Sequence, residues 1–332
     1  MMKKNHIERR TLLLAATSLA LAATQAMAQG SAADYPNKPI RIMVSVPAGG
    51  AADALARIVG EKLQAKWGQT VVVDNKSGAG GNIAAEYVAQ SPPDGYTLLI
   101  TPPGPLTINK FLYKNLKYDP DKFAMISIIA ANPNVLLINP KIPATNLAEF
   151  ITYAKAHPGK LNFASGGIGS TPHLTGELFK QRTGIDISHI PYKGGPPAYA
   201  DLLGGQVEIM FQGLATALPN IQDGKLRVLA VGGDKRYPLL PDVPALNESM
   251  PGFVSTSWTG FAAPPGTPQA IVDKLQAALS EGLRQQVESG KAVKGLDARD
   301  VIANTPVEAT KFANEEKQRW EGVIRASGAT AD

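Results

Sequence analysis

The sequence predicts an α/β protein built as two domains, with largely parallel sheets that carry helices on both faces. Short apolar runs alternate along the chain with amphipathic stretches at helical spacing, which is the pattern of β–α–β units. The length of 332 residues suits two domains of about 150 residues, each with its own core. Two Pro-punctuated extended stretches, Ala131–Leu137 and Gly252–Pro265, mark where the chain would cross to a second domain and return.

The predicted strands are short and rich in Ile, Val and Leu, as buried strands of parallel sheets are. In chain order they are Ile40–Val44, Val71–Asp74, Tyr96–Ile100, Met125–Ile129, Val135–Ile138, Leu161–Ala164, Val207–Phe211 and Val228–Val231. Helices are predicted where apolar residues recur three and four positions apart, beginning with Leu55, Ile58, Val59 and Leu63. The others are Ile83–Val88, Leu147–Ala156, Leu174–Gln181, Pro268–Leu283 and a C-terminal helix with Phe312, Trp320, Val323 and Ile324 on one face.

The N-terminal segment has the three-part layout of a secretory signal peptide. Lysines and arginines within the first ten residues form a basic start, an apolar run spans Leu12–Ala23, and Ala26-Met27-Ala28 is a small-residue cleavage site. The apolar run is shorter than the roughly 20 residues that a membrane-spanning helix needs. We therefore expect residues 1–28 to be a signal peptide cleaved after Ala28. Arg9-Arg10 loosely resembles a twin-arginine export motif, but we favour the general route.

Composition excludes several classes of protein. The absence of cysteine rules out a thiol nucleophile, an iron–sulfur cluster, a Cys-ligated zinc, a disulfide framework and an acylated lipoprotein. Residues 1–28 carry most of the basic excess, so their removal lowers the formal net charge from +5 to +2. No Lys/Arg-rich run with interleaved aromatic residues remains, which argues against a nucleic-acid partner. We expect a soluble, monomeric, unanchored protein of the periplasm.

Two glycine-rich turns join a predicted strand to a helix. In the first, Pro47–Asp53, a Gly-Gly turn leaves backbone N–H groups and a positive helix dipole at one point, which suits an anion. A tight turn with Asp53 as a helix cap explains the same residues equally well. The second turn, Ser165–His173, has Pro172 in the first helical turn. Two such junctions suggest two anion-binding rims beyond the carboxyl ends of the strands.

The sequence gives little support for enzyme or metal chemistry. Ser165 lacks the first glycine of a G-x-S-x-G elbow, because Phe163 stands there. Ser165 or Ser170 with His173 would form part of a hydrolytic dyad, although a first-turn histidine more often bonds a loop or a ligand. His173 and Glu177 are spaced to chelate a metal, but no HExxH motif accompanies them. We expect no catalytic residue, no metal and no cofactor.

The ordered motifs of the chain resemble the extracytoplasmic solute receptors of tripartite tricarboxylate transporters, the Bug-type receptors. The resemblance runs from Tyr35-Pro36-Asn37-Lys38-Pro39-Ile40 through the C-terminal helix. Its motifs are Pro47–Asp53, Gly78–Asn82, Pro93–Leu99, Leu161–Ser165, Pro191–Gly195, Asp201–Val207, Asp242–Pro244, Ser257-Trp258 and Ala263–Pro268.

The resemblance implies a two-lobed periplasmic-binding-protein type II fold with mixed sheets and a hinge of two crossing strands. Lobe 1 would comprise residues 29–135 and 255–332, and lobe 2 residues 136–254. The family holds a ligand carboxylate between two strand–helix loops, through backbone N–H groups, hydroxyls and bridging water. The ligand-binding residues implied here are Val46, Ala48, Gly49, Gly50, Ala51, Ala52, Asp53, Pro103, Ser165, Gly166, Gly169, Ser170, His173 and Gln212.

Some positions depart from the family pattern. Ala51 and Ala52 stand where the family often has Gly and Thr, so a threonine hydroxyl donor is absent. Gln212 replaces a frequent acidic residue, which makes an amino-acid ligand less expected. The resemblance thus implies a non-enzymatic receptor that delivers a small carboxylate to transporter subunits in the membrane. An exported Ser/His hydrolase and a ligand-sensing adaptor for a signalling partner remain alternatives.

Overall fold

The computed structural model describes residues 33–290 and 300–331. The predicted signal peptide and its cleavage site lie outside the described residues. The strands are β1 (Ile40–Val44), β2 (Val71–Asn75), β3 (Thr97–Thr101), β4 (Ala124–Ile138), β5 (Leu161–Ser165), β6 (Ile187–Pro191), β7 (Ile209–Gly213), β8 (Arg227–Val231) and β9 (Thr256–Ala263). The helices are α1 (Ala51–Trp67), α2 (Asn82–Ala89), α3 (Asn109–Leu112), α4 (Leu147–Ala156), α5 (Thr171–Thr183), α6 (Gly195–Gly204), α7 (Leu214–Gln222), α8 (Leu246–Ser249), α9 (Gln269–Glu288) and α10 (Pro306–Ser327).

The described strands pair in the order β2-β1-β3-β9-β4-β7-β5-β6, with β8 also paired to β4. Strands β1, β2 and β3 run parallel to one another, as do β5, β6 and β7. Strand β9 is antiparallel to β3 and β4, and β4 is antiparallel to β7 and β8. The predicted two-lobed α/β fold with mixed sheets is therefore confirmed.

Strand β4 was predicted as two separate runs, Met125–Ile129 and Val135–Ile138, but it is continuous. Its first part pairs with β9 as far as Pro133, and its last part, from Asn134, pairs with β7 and β8. The polar Asn132-Pro133-Asn134 segment belongs to the predicted extended crossing stretch, and it lies where the strand changes partners. Proline, which lacks an N–H group, is tolerated where a hydrogen-bonded ladder is interrupted.

Side chains alternate between two apolar layers in each half of the sheet. In β1, Ile40, Ile42 and Val44 pack with α1 and α9, whereas Met43 points to the other face, towards α2. In the second half, Leu136 and Ile138 of β4 share one cluster, and Val135 and Leu137 share another. Strands buried on both faces explain why the sequence shows continuous apolar runs rather than alternation.

Six elements were not predicted as such: strands β6 and β9 and helices α3, α6, α7 and α8. Helices α3 and α8 have only four residues each. The other four elements lie in segments where glycine, proline and polar residues mask the periodicity. Residues 187–191 read Ile-Ser-His-Ile-Pro, and α6 begins with Gly-Pro-Pro. Their conformation depends on pairing with β4, β5 and neighbouring helices, which overrides weak local preference.

Helix α10 packs against both halves of the sheet. Its first turns contribute Ala309 and Ala313 to a cluster that contains Trp258, while Trp320 lies in a cluster with residues of α4 and α5. Between them, the Glu316 carboxylate is 1% exposed. Its Oε2 accepts hydrogen bonds from the indole N–H groups of Trp258 and Trp320, both at 3.0 Å, and Arg319 pairs with Oε1. This buried carboxylate links α10 to strand β9 through a hydrogen bond.

Candidate functional site

The two glycine-rich loops lie at carboxyl ends of parallel strands. The first follows β1 and leads into α1, and the second follows β5 and leads into α5. Since β1 is parallel to β3, and β5 to β6 and β7, each loop shares its edge with the loops that follow those strands. This is where open α/β sheets bind their ligands.

The first loop is shaped by Gly49 and braced by Asp53. Gly49 has φ +91°, and its N–H donates to Asp53 Oδ2 at 2.9 Å. Gly50 precedes α1 without any side-chain cap, so the N–H groups of Ala51 and Ala52 in the first turn have no intrahelical acceptor. These two N–H groups therefore face the loop as neutral donors at the positive end of the helix dipole.

The carboxylate of Asp53 stabilises the first loop, and it cannot donate a hydrogen bond to an anion. The side chain is buried, and Arg57 approaches its two oxygens at 3.0 and 3.2 Å. Burial alone would raise the pKa of Asp53, but the hydrogen bonds from Gly49 and Arg57 outweigh it and lower the pKa below its ordinary value. Asp53 is therefore ionised, and only its backbone N–H remains as a donor.

Several polar groups of the second loop form hydrogen bonds within the loop or to the strand beside it. Ser165 Oγ accepts from Gly167 N–H at 3.1 Å and shares a hydrogen bond with His189 Nε2 at 2.7 Å. Ser170 Oγ donates to the Gly167 carbonyl at 2.7 Å. Among the described residues, the N–H group of Gly166 has no acceptor. The loop is thus internally fixed and keeps a backbone donor for a ligand.

The stacked imidazole rings of His173 and His189 contact the second loop. The rings of His173 and His189 have centroids 4.0 Å apart, and Phe163 stacks on His189 at 4.8 Å. His173 Nδ1 accepts from Gly169 N–H at 3.1 Å, so the proton of its neutral ring is on Nε2. Burial lowers the pKa of His173 to about 4, and burial with the neighbouring His173 lowers the pKa of His189 to about 3. Both rings are neutral at physiological pH.

The alternative in which a serine pairs with the His173 ring is not formed, whereas the favoured one, in which His173 bonds its own loop, is formed through Gly169 N–H. Ser165 is fully buried and bonds His189 instead. Ser170 Oγ accepts from the backbone N–H of His173 as the N-cap of α5. Glu177, the other candidate metal ligand, pairs with Lys180. In the residues 33–290 and 300–331, no group of three or more His, Cys, Asp or Glu is arranged to hold a metal ion.

Comparison with known proteins identifies the family. The model of the tripartite tricarboxylate transporter family receptor, TctC, matches residues 55–329. The chain belongs to the TctC receptor family. The resemblance noted from the sequence motifs is therefore confirmed.

The relatives of this TctC member include receptors with bound carboxylates. BugT of Bordetella pertussis is 39% identical over 323 residues, covering 96% of this chain and 98% of BugT. The structure of Rpa4515 of R. palustris with adipate has a TM-score of 0.82 and 36% identity, covering 90% of this chain and 99% of the other. MatC from Rhodopseudomonas palustris with bound malate has a TM-score of 0.77 and 33% identity, covering 87% of this chain and all (100%) of MatC.

Other implied site residues of this TctC member fall beside the two loops. Pro103 is buried, and its carbonyl accepts from Thr107 Oγ1 at 2.8 Å. The Val46 carbonyl accepts from Asn75 Nδ2 at 3.1 Å. Gln212 Nε2 lies 3.8 Å from the point where a Cβ on Gly195 would stand. The half-buried Gln212 therefore lies beside α6, whose first residue touches the second loop.

The second loop also touches the segment that follows β3. A Cβ on Gly169 would lie 2.1 Å from Leu112 Cδ1, so the loop and α3 are in close contact. Sequence reasoning missed this contact and the role of His189. His189 lies opposite Phe163 in the β5–β6 register, a position that is visible only once β6 is recognised.

Proposed function

We propose that this TctC receptor captures a small organic carboxylate between its two lobes in the periplasm and delivers it to transporter subunits in the membrane. The observation that carries the proposal is the pair of strand–glycine–helix loops at the N-termini of α1 and α5. Both loops present neutral backbone donors, and the charge of Asp53 is already paired with Arg57.

Neutral donors suit a ligand that must enter and leave. A carboxylate gains strong hydrogen bonds from backbone N–H groups and from the helix dipoles. When it departs, no unpaired cation remains in the site, which would be costly. The donors proposed in the first loop are the N–H groups of Ala51, Ala52 and Asp53, and Gly166 serves in the second. Gly49 and Gly169 shape the loops, because their own N–H groups are already bonded.

Adipate in Rpa4515 and malate in MatC support a dicarboxylate as the ligand class. One carboxylate would sit between the two loops, and closure of the lobes about the crossing strands would enclose the remainder. Lobe boundaries at residues 135–136 and 254–255 fit the change of partners within β4. Gln212 would meet the distal end of the ligand with an uncharged amide.

The proposal includes a monomeric receptor without catalytic activity, exported with cleavage after Ala28. None of the helices within residues 33–290 and 300–331 is long and apolar enough to cross a bilayer. Mass spectrometry of the periplasmic fraction should give a mature N-terminus at Gln29. An intact Met1 on a membrane-bound product would contradict this part of the proposal.

The binding function is tested by thermal shift with adipate, malate, citrate, benzoate, nicotinate and aspartate. A ligand at concentration L that binds only the folded state stabilises it by RT ln(1 + L/Kd), so the melting temperature rises with the logarithm of the ligand concentration above Kd. Adipamide, which has the length of adipate without its charges, is the matched control. We expect at least one acid to stabilise the protein while its amide does not, and NMR to show the acid unchanged after incubation. Stabilisation by none of the acids, or hydrolysis of an ester added in the same assay, would refute it.

A further inference from the structure

A chain of buried hydrogen bonds joins the helix that follows the second loop to the crossing strands. Ser257 Oγ donates to Asn134 Oδ1 at 2.7 Å, and Asn134 Nδ2 donates to Ser255 Oγ at 2.7 Å. Ser255 Oγ and Thr175 Oγ1 are 2.5 Å apart, and Thr175 Oγ1 donates to the Thr171 carbonyl at 2.6 Å. The chain thus begins in β9, passes through β4 and ends in the first turns of α5.

The direction of every bond in this chain is determined. The single proton of Thr175 Oγ1 is used on the Thr171 carbonyl, so Ser255 must be the donor to Thr175. Ser255 then accepts from the Asn134 amide, whose oxygen in turn accepts from Ser257. The hydroxyls of Ser255 and Thr175 each have one donor role and one acceptor role, and the chain has no alternative arrangement that keeps all its bonds.

The chain is buried where the strands change partners. Asn134, Ser255 and Thr175 each have no exposed surface. The backbone around them is equally constrained, because Gly232 N–H donates to the Asn134 carbonyl at 2.6 Å and Ser255 N–H donates to the Gly232 carbonyl at 2.7 Å. A Cβ on Gly232 would lie 2.8 Å from the Ser255 carbonyl oxygen. Buried polar networks of this kind specify one arrangement, since a broken link leaves a polar group unpaired.

We propose that Asn134, Ser255 and Thr175 are positioning residues that couple the ligand loop at residues 165–173 to the hinge between the lobes. Helix α5 begins at that loop, so a change in the angle of the crossing strands is transmitted to the loop through Ser255 and Thr175. Conversely, a ligand that orders the loop favours one arrangement of the hinge. The inference rests on the proposed function in naming the loop a ligand loop, but the coupling itself exists without ligand.

Hydrogen exchange followed by mass spectrometry on the ligand-free protein tests the coupling. Thr175→Val keeps the branched shape and removes both hydrogen bonds of the hydroxyl. We expect the amides of Asn132, Asn134, Val135 and residues 231–233 to exchange about tenfold faster, although the substitution is in α5. Thr175→Ser should restore the wild-type rate. Exchange in α1 is the internal reference, because a global loss of stability would accelerate it as well.

Thr183→Val is the matched control. Thr183 makes the same bond to the carbonyl four residues earlier in the same helix, Oγ1 to the Phe179 carbonyl at 2.6 Å, but it has no link to the hinge. It should leave exchange at residues 132–135 unchanged. Ser255→Ala probes the link from the other side and should accelerate exchange at residues 166–176, so the test survives if one variant fails to fold.

The coupling is refuted if Thr175→Val accelerates exchange only within α5, or if Thr183→Val affects the hinge to the same extent. Because no ligand is present, either result leaves the proposed carboxylate binding standing. Failure of every acid in the thermal-shift screen would in turn leave the exchange result unaffected.

Discussion

Replacement of Gly169 by alanine should destabilise the protein for two separable reasons. Gly169 has φ +76°, a conformation that side-chain-bearing residues adopt at a cost of roughly 1–2 kcal/mol. The added Cβ would also lie 2.1 Å from Leu112 Cδ1. Leu112 is only 2% exposed and is packed in the cluster that contains Trp320, so it has little room to turn away. Overpacking of this kind typically costs about 1–3 kcal/mol.

Gly49→Ala is the matched comparison, because it isolates the backbone effect. Gly49 also has positive φ, at +91°, but no atom lies within 4 Å of the position its Cβ would take. We expect a loss of about 1–2 kcal/mol in the free energy of unfolding for Gly49→Ala and about 2–5 kcal/mol for Gly169→Ala. Urea unfolding followed by circular dichroism measures both values. Equal losses in the two variants would show that the contact between the second loop and α3 does not constrain Gly169.

Three further predictions concern charge and burial. Lys193→Ala should change carboxylate affinity, measured by isothermal titration, by no more than about fivefold, because this exposed cation is peripheral to a site of neutral donors. Abolished binding would show a charge-pairing site instead. Glu316→Leu should lower the free energy of unfolding, measured by urea titration, by about 2–4 kcal/mol, since two buried indole N–H groups lose their acceptor. A loss below about 1 kcal/mol would contradict this. The pKa values of His173 and His189 in the folded protein lie below the ordinary 6.5. Between about pH 6.5 and 4 the unfolded chain therefore binds more protons than the folded protein, so the free energy of unfolding should decrease as the pH is lowered through this range. Stability curves of wild type and His189→Gln should differ in slope over this range, and identical slopes would refute the assignment.

Much of the site could be predicted from the sequence because its elements are local. A strand, a glycine turn and a helix start occupy consecutive residues in both Pro47–Asp53 and Ser165–His173, and the order of residue types alone predicts backbone donors there. The helices Leu147–Ala156 and 306–327 were equally predictable from their apolar spacing. The family resemblance rests on the same kind of contiguous motif.

Tertiary structure decided which of these donors are free and what holds them. The N–H groups of Gly49 and Gly169 donate to Asp53 and His173, so these two conspicuous glycines shape their loops in this structure. Ser165 meets His189, which comes from a strand that sequence periodicity did not indicate.

The two halves of β4 become one strand only because β9 and β7 supply partners on either side of Pro133. Hydrogen bonds and steric contacts between residues far apart in the chain depend on distance and direction in space. Residue type and spacing along the sequence set local conformation, but they carry no information on those distances, and the folded packing alone determines them.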